Sequence, residues 1–514
     1  MRDWFDENKK TSTGSEDFKK NIMNGIRYVD KTSLLAPLLG GTHETTFFLR
    51  PRRFGKTFTL SMIQYFVEDT RDPALNQENR SLFQGMRIMD MGERYTDMMT
   101  SFPVIHLTLQ TVKGLTYETC YSTLVKLIGK LYSDNQWLLK SNTLDELDRH
   151  HFNRILYGKD ENGQQIGQVD VTSSLHKLSL YMRKATGKEV VVLIDEYDVP
   201  LENAYRNGYY RKITEVIEPM LHNVLKANSD NLKFAVVTGR FHIVKGRISA
   251  GLNNPEINTV NSTLGGDAIG FTEAEVKHLL AYSCLEDHFD EVKEWYGGYC
   301  SGETVIYNPW SVIKFIEDLT ASSSAKPKLY WCGTSENAII LELAKHADGT
   351  TREKTETLMQ GGEITFALRD DIVYDNLFED HDNVFNVMLA TGYLTATETT
   401  ATTVKARIPN KEVLEIYRQK LSQWFNESLS SFNAQELYAM MESGNEEQVE
   451  QIRRKRSPRD YTKLRKVLNA AFMLLAAVGL VWYYTSDSNR LWALGVVALG
   501  MLLKVIEFFI RFMG

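Results

Sequence analysis

An α/β fold with a parallel sheet is predicted by three features of the sequence. Arg50-Pro-Arg-Arg-Phe-Gly-Lys-Thr57 follows the short apolar run Thr46-Phe-Phe-Leu49 and opens a helix-like stretch. Val190-Val-Val-Leu-Ile-Asp-Glu196 is an unbroken aliphatic run that ends in two carboxylates. Strand-like and helix-like segments alternate across residues 1–270, as expected for strands joined by crossover helices. A mainly helical lid region at 271–430 and two apolar segments near the C-terminus complete the expected architecture.

In order along the chain, strands are expected at 46–50, 102–109, 189–194 and 232–238. Helices are expected at 57–68, 116–133, 171–184 and 211–227. In the first of these, Phe58, Met62, Ile63, Phe66 and Val67 recur at helical spacing. The aliphatic run at 190–194 suits a strand buried on both faces of a sheet. Asn135 to Gln168 is polar, with an exposed loop at 159–165. His106, in a buried strand, reads as a satisfied core residue. Phe271-Thr-Glu-Ala-Glu-Val276 marks a helix start, with Thr272 as cap and Glu275 completing a capping box. Ala321-Ser-Ser-Ser-Ala-Lys-Pro327 is a short linker. Trp295, Tyr296, Tyr299 and Trp310 are read as local packing rather than a partner surface.

The first motif has the parts of a phosphate loop: a strand, a turn, then Gly-Lys-Thr at a helix start. Free N–H groups and the positive end of a helix dipole attract phosphates there. Arg53, Phe54, Gly55, Lys56 and Thr57 are the expected nucleotide-binding residues. Lys56 would reach the β and γ phosphates, and Thr57 would offer its hydroxyl to Mg²⁺. Arg50 stands where such loops usually begin with glycine, so the loop is a variant. Asp195 and Glu196 fall at the C-terminal end of their strand, where open α/β sheets bind ligands. Asp195 is expected to hold the metal, and Glu196 to orient or deprotonate an attacking water.

Beyond these two motifs the sequence resembles the AAA-ATPase-like proteins of bacteria and archaea, over roughly residues 15–425. Tyr28-Val-Asp-Lys-Thr32 matches that family's N-terminal signature, and the loop without its first glycine is normal there. Leu193-Ile-Asp-Glu-Tyr-Asp-Val-Pro-Leu201 resembles its second acidic motif. Leu232-Lys-Phe-Ala-Val-Val-Thr-Gly239 with Ser249-Ala-Gly-Leu-Asn-Asn254 resembles the third, and Trp295-Tyr-Gly-Gly-Tyr299 and Tyr307-Asn-Pro-Trp310 a later segment. The resemblance implies that the strand ending at Thr238 lies between the two motif-bearing strands. It makes Thr238 a polar sensor beside the γ-phosphate; a strand-end threonine bonding backbone is the plainer alternative. Two positions depart from the family pattern. His242 stands where an arginine is common, with Arg240 and Arg247 close by, and Cys300 replaces an arginine after the Trp-Tyr motif. Arg240 is therefore the candidate for stabilising transition-state charge. Relatives often continue into a PD-(D/E)XK nuclease, but no Asp plus Glu-x-Lys pair on a strand pattern comes after residue 430, and nuclease activity is not expected.

The four cysteines are far apart and form no C-x-x-C pair, which argues against a zinc site or a disulfide framework. The start, Met1-Arg-Asp-Trp-Phe-Asp-Glu-Asn, is charged and reads as lacking a signal peptide. Residues 453–466 hold eight basic residues against one acid, a net of +7 in a chain of net −7. Such a run is capable of binding nucleic acid. The neighbouring segment argues for a membrane: residues 467–484 are uncharged and end in Trp482-Tyr-Tyr484. As a helix they would span about 27 Å, close to a bilayer core. After the polar turn 485–490, residues 491–512 are apolar apart from Lys504, Glu507 and Arg511. The reading is a helical hairpin, with a helix and basic juxtamembrane segment at 431–466 before it. Basic residues at both ends place the core and both termini on the cytoplasmic side of the inner membrane.

Together these features predict a membrane-anchored ATPase that uses ATP and Mg²⁺, with a P-loop core over residues 1–270. An ATP-binding switch or scaffold with little hydrolysis is the alternative, and nucleic-acid binding through 453–466 a weaker one. No interface signature is visible, so a homo-oligomer or an unknown protein partner both stay open.

Overall fold

The structure is a computed structural model, and it describes residues 9–41, 43–160, 162–240, 255–259, 267–302, 304–331, 349–369 and 381–429. Five strands form one wholly parallel sheet: β1 (Thr45–Leu49), β2 (Val104–Thr108), β3 (Val190–Asp195), β4 (Leu232–Gly239) and β5 (Glu256–Asn258). Their order is β2-β3-β4-β1-β5, so β4 lies between the two motif-bearing strands, as the family resemblance implies. The four expected strands are present, and β5 is too short to be read from pattern. Helices Lys56–Val67, Tyr117–Asp134, Gln168–Thr186 and Tyr210–Leu225 correspond to those expected. Helix Glu146–Tyr157, within the polar stretch, is additional; Asp145 caps it, accepting from the Asp148 N–H.

Strand periodicity explains the layering. Val190, Val192 and Ile194 face one core, shared with Leu175 and Leu178 from one helix and Ile213 and Ile217 from another. Val191 and Leu193 face the opposite core, with Leu60, Ile63 and Phe66 of helix Lys56–Val67. Side chains alternate across a strand, so an unbroken aliphatic run is what a sheet covered on both faces requires. The register sets Phe48 beside Thr238 and Thr108 beside Asp195. The C-terminal ends of β1, β3 and β4 therefore lie abreast.

Arg50, the residue in place of the usual glycine, is fully buried at the end of β1. Its guanidinium donates to the Leu49 carbonyl at 3.1 Å, the Asn258 carbonyl at 3.0 Å and Asn258 Oδ1 at 2.6 Å. It thereby ties the loop's start to β5. Burial lowers its pKa to about 10. Arg50→Ala leaves the Asn258 acceptors without these donors and is expected to cost about 2–4 kcal/mol. Urea unfolding at unchanged slope would read the loss, and an unchanged midpoint would show the bridge to be dispensable.

Among the described residues after 270, helices predominate, with short strands that the sequence does not announce. Helices Glu273–Tyr282, Pro309–Ala321, His381–Ala390 and Lys411–Leu429 are present, and Thr272 and Glu275 form the expected capping box. Two antiparallel three-stranded sheets accompany them. One joins β6 (Phe271–Thr272), β8 (Thr304–Tyr307) and β7 (Tyr299–Ser301) in that order. The other joins β10 (Thr395–Thr399), β11 (Thr403–Arg407) and β9 (Ile364–Ala367). Strands this short show too little alternation to be separated from loop by pattern. Trp331, Phe385 and Tyr417 join the same core as Phe48 and Leu60, which brings this later part of the chain against the side of the sheet covered by helix Lys56–Val67.

The chain divides into two compact units, Met1–Trp424 and Phe425–Gly514. Of the second, only the end of helix Lys411–Leu429 is described. The expected helix and basic segment at 431–466 and the hairpin at 467–484 and 491–512 lie outside the described residues. Among the described residues, no helix is long and apolar enough to cross a membrane.

Candidate nucleotide-binding site

The loop between β1 and helix Lys56–Val67 is shaped by its last residues. Gly55, at φ 94°, caps the helix in a left-handed conformation and makes no side-chain cap hydrogen bond to the helix's first N–H groups. Arg53 (φ 64°) and Glu196 (φ 52°) are also left-handed, which for non-glycine residues stores about 1–3 kcal/mol of strain each. A Cβ on Gly55 would meet nothing within 4 Å, so open space faces the helix end. Uncapped amides beside open space suit a phosphate.

Asp195 is the hub. It is buried at the end of β3, where Oδ2 accepts from Thr57 Oγ1 at 2.7 Å and Oδ1 accepts from Thr238 Oγ1. The Glu196 N–H lies 3.4 Å from the same Thr238 oxygen. The structure thus brings together Thr57 from the helix that follows β1, Asp195 and Glu196 at the end of β3, and Thr238 of β4. Lys56 is buried, and Nζ donates to the carbonyls of Arg50 and Pro51 at 2.8 and 2.9 Å. Burial pulls the Lys56 ammonium down to about 8, although Glu196, Asp198 and Asp195 all favour its charge. Burial likewise raises the Glu196 carboxyl above its usual range, against the pull of Lys56.

Arg53 and Phe54 face away from this group. Arg53 donates to the Tyr330 carbonyl, and its guanidinium lies 4.8 Å from the Trp310 ring centroid. Phe54 is buried edge-on to Tyr299, with ring centroids 5.0 Å apart. Their contribution to the loop is through backbone. The expectation that these aromatics pack within the protein, and do not form a partner surface, holds for Tyr296 on Phe315, for Tyr299 on Phe54 and for Trp310, whose indole donates to the Tyr330 carbonyl.

Arg240 is close to the site but engaged. Nε donates to Asp198 Oδ2 at 3.0 Å, and another guanidinium nitrogen donates to Glu202. Arg240, first among the neighbouring charges, holds the Glu202 carboxyl below its usual range despite burial. Motif reasoning misses Asp198 and Glu202. Their four-residue spacing just after the acidic motif is the available signal, since it puts both on one helix face. His106 is hydrogen-bonded, as expected, with Nδ1 2.7 Å from Gln64 Oε1, but it is half-buried and not part of the core; burial lowers its pKa. His242 and Arg247 lie outside the described residues.

The donor set fits MgATP. A hydroxyl and a carboxylate in contact offer hard oxygens, as magnesium prefers, and a buried lysine at a helix N-terminus suits the phosphates. Residues 12–249 match the family described as predicted AAA-ATPase, AAA-ATPase-like. A protein of Azotobacter chroococcum mcd 1, described as an uncharacterized protein in the vnfD 5′ region, is 27% identical over 339 residues. That alignment covers 65% of this chain and 56% of the relative.

Proposed function

We infer, from a chain whose residues 12–249 match the AAA-ATPase-like family, that it binds ATP with magnesium and hydrolyses it at the Asp195 hub. The observation that carries this reading is the single carboxylate accepting from both Thr57 and Thr238, beside a buried Lys56. Lys56 and the amides of Gly55–Thr57 hold the β and γ phosphates. Thr57 and Asp195 would hold Mg²⁺, which when bound screens the phosphate charge. Glu196 takes a proton from the attacking water, whose oxygen bonds to the γ-phosphorus as the bond to the β-phosphate oxygen breaks. A carboxylate made more basic by burial suits that role. Thr238 orients Asp195 and the Glu196 backbone, and Arg240 supplies positive charge nearby.

One observation favours a slower device. Arg240 is already neutralised by Asp198 and Glu202, so less of its charge is available to a transition state. An ATP-binding switch with little hydrolysis results if that pairing persists with nucleotide bound. Single-turnover hydrolysis compared with MgATP affinity in the full chain separates the two: tight binding without turnover sinks the ATPase reading.

A membrane tether through 467–484 and 491–512 is the further part of this reading, supported by the uncharged first segment and the basic run before it. The full chain is expected to pellet with membranes and resist alkaline carbonate, whereas residues 1–450 stay in the supernatant. Recovery of the full chain in the supernatant would remove the tether.

A further inference from the structure

The outer side of the phosphate loop is gripped by residues far along the chain. Trp331 donates its indole N–H to the Arg52 carbonyl at 3.1 Å. The backbone N–H of the same Trp331 donates to Glu412 Oε1 at 2.8 Å, and Ser311 Oγ donates to Glu412 Oε2 at 2.9 Å. Glu412 is fully buried in the first turn of helix Lys411–Leu429. On the flank, a Cβ at Gly392 would lie 2.7 Å from Pro51 Cγ, so the loop sits tightly against this wall.

A buried carboxylate outside the Asp195 hub needs a reason, because burying one costs free energy unless its hydrogen bonds repay it. Here the N–H groups of Trp331 and Tyr330 and the Ser311 hydroxyl converge on it, and one belongs to the residue that holds the loop. In a trans peptide the carbonyl and the following N–H point in opposite directions. Pinning the Arg52 carbonyl to Trp331 therefore turns the Arg53 N–H away from Trp331. Arg53 is held left-handed at that point, a conformation that persists only where its surroundings enforce it.

We propose that Glu412 is a positioning residue for the phosphate loop, acting through Trp331 to aim the loop's amides at the nucleotide. Because Glu412 opens helix Lys411–Leu429, loop conformation and helix position are coupled. This rests on the nucleotide reading of the loop and extends it to a residue outside the family match. Burial pushes the Glu412 carboxyl up to about 7, so glutamine is a close stand-in for its neutral form.

The test measures MgATP affinity and turnover of the full chain by calorimetry and phosphate release, with folding followed by circular dichroism. Glu412→Ala and Trp331→Phe are each expected to weaken affinity about tenfold, or ~1.4 kcal/mol. Turnover at saturating nucleotide should fall much less, and Glu412→Gln should restore most of the affinity. A merely structural role would instead lower the melting temperature without separating affinity from turnover. If Glu412→Ala does not fold, Trp331→Phe decides, since it deletes one N–H from a retained aromatic. Folded variants that bind MgATP like the parent overturn the positioning role. A folded parent that binds no better than Lys56→Ala overturns the nucleotide reading itself, and this proposal with it.

Discussion

Lys56→Ala is expected to abolish MgATP binding by the full chain, with a loss of at least about 100-fold in affinity and no measurable turnover. The reason lies in the charges around it. Asp195, Glu196 and Asp198 all act on the Lys56 ammonium. Without it, a triphosphate would meet these carboxylates directly, in a setting too buried for water to screen them. The same burial makes affinity depend on pH. The ammonium form binds phosphate, and in the free protein its pKa is lowered to about 8. Affinity is therefore full below that value and falls above it, by roughly tenfold per pH unit until the bound form also deprotonates. Calorimetry at pH 7 and 9 checks the sign. A flat profile, or Lys56→Ala binding like the parent, would remove Lys56 from the phosphate site.

Glu196→Gln is expected to lower turnover by about 10²–10⁴ while MgATP affinity holds or tightens. Glutamine keeps the shape and the backbone N–H that approaches Thr238, but it accepts no proton. It also removes one negative charge from beside the phosphates, which is why binding should not suffer. Glutamine and glutamate carry the same Cβ at this left-handed position, so the substitution is not expected to add backbone strain. Single-turnover hydrolysis of bound ATP isolates the chemical step from product release. Unchanged turnover would mean that another group activates water. Loss of binding together with turnover would mean that the residue shapes the site and does not act as base.

Much of this arrangement is legible from local pattern. An unbroken aliphatic run ending in Asp195-Glu196 fits a sheet covered on both faces, and Gly-Lys-Thr after a short apolar strand marks a helix start. Thr272 and Glu275 announce their capping box because its partners are three residues apart. The antiparallel strands after 270 escape pattern because they run only two to five residues and carry no sustained alternation. Arg50 is visible as a departure from the usual glycine, but its use is not, since its partner Asn258 is 208 residues away.

The sequence by itself determined the parallel sheet, the loop and the acidic strand end, because each depends on spacing within one element. Only the tertiary structure decided that Asp198 and Glu202 hold Arg240, that Asn258 receives Arg50, and that Trp331 and Glu412 reach the loop. Those contacts depend on strand order and on which faces share a core. Residues separated by 279 positions, as Arg52 and Trp331 are, meet only after the whole chain has packed.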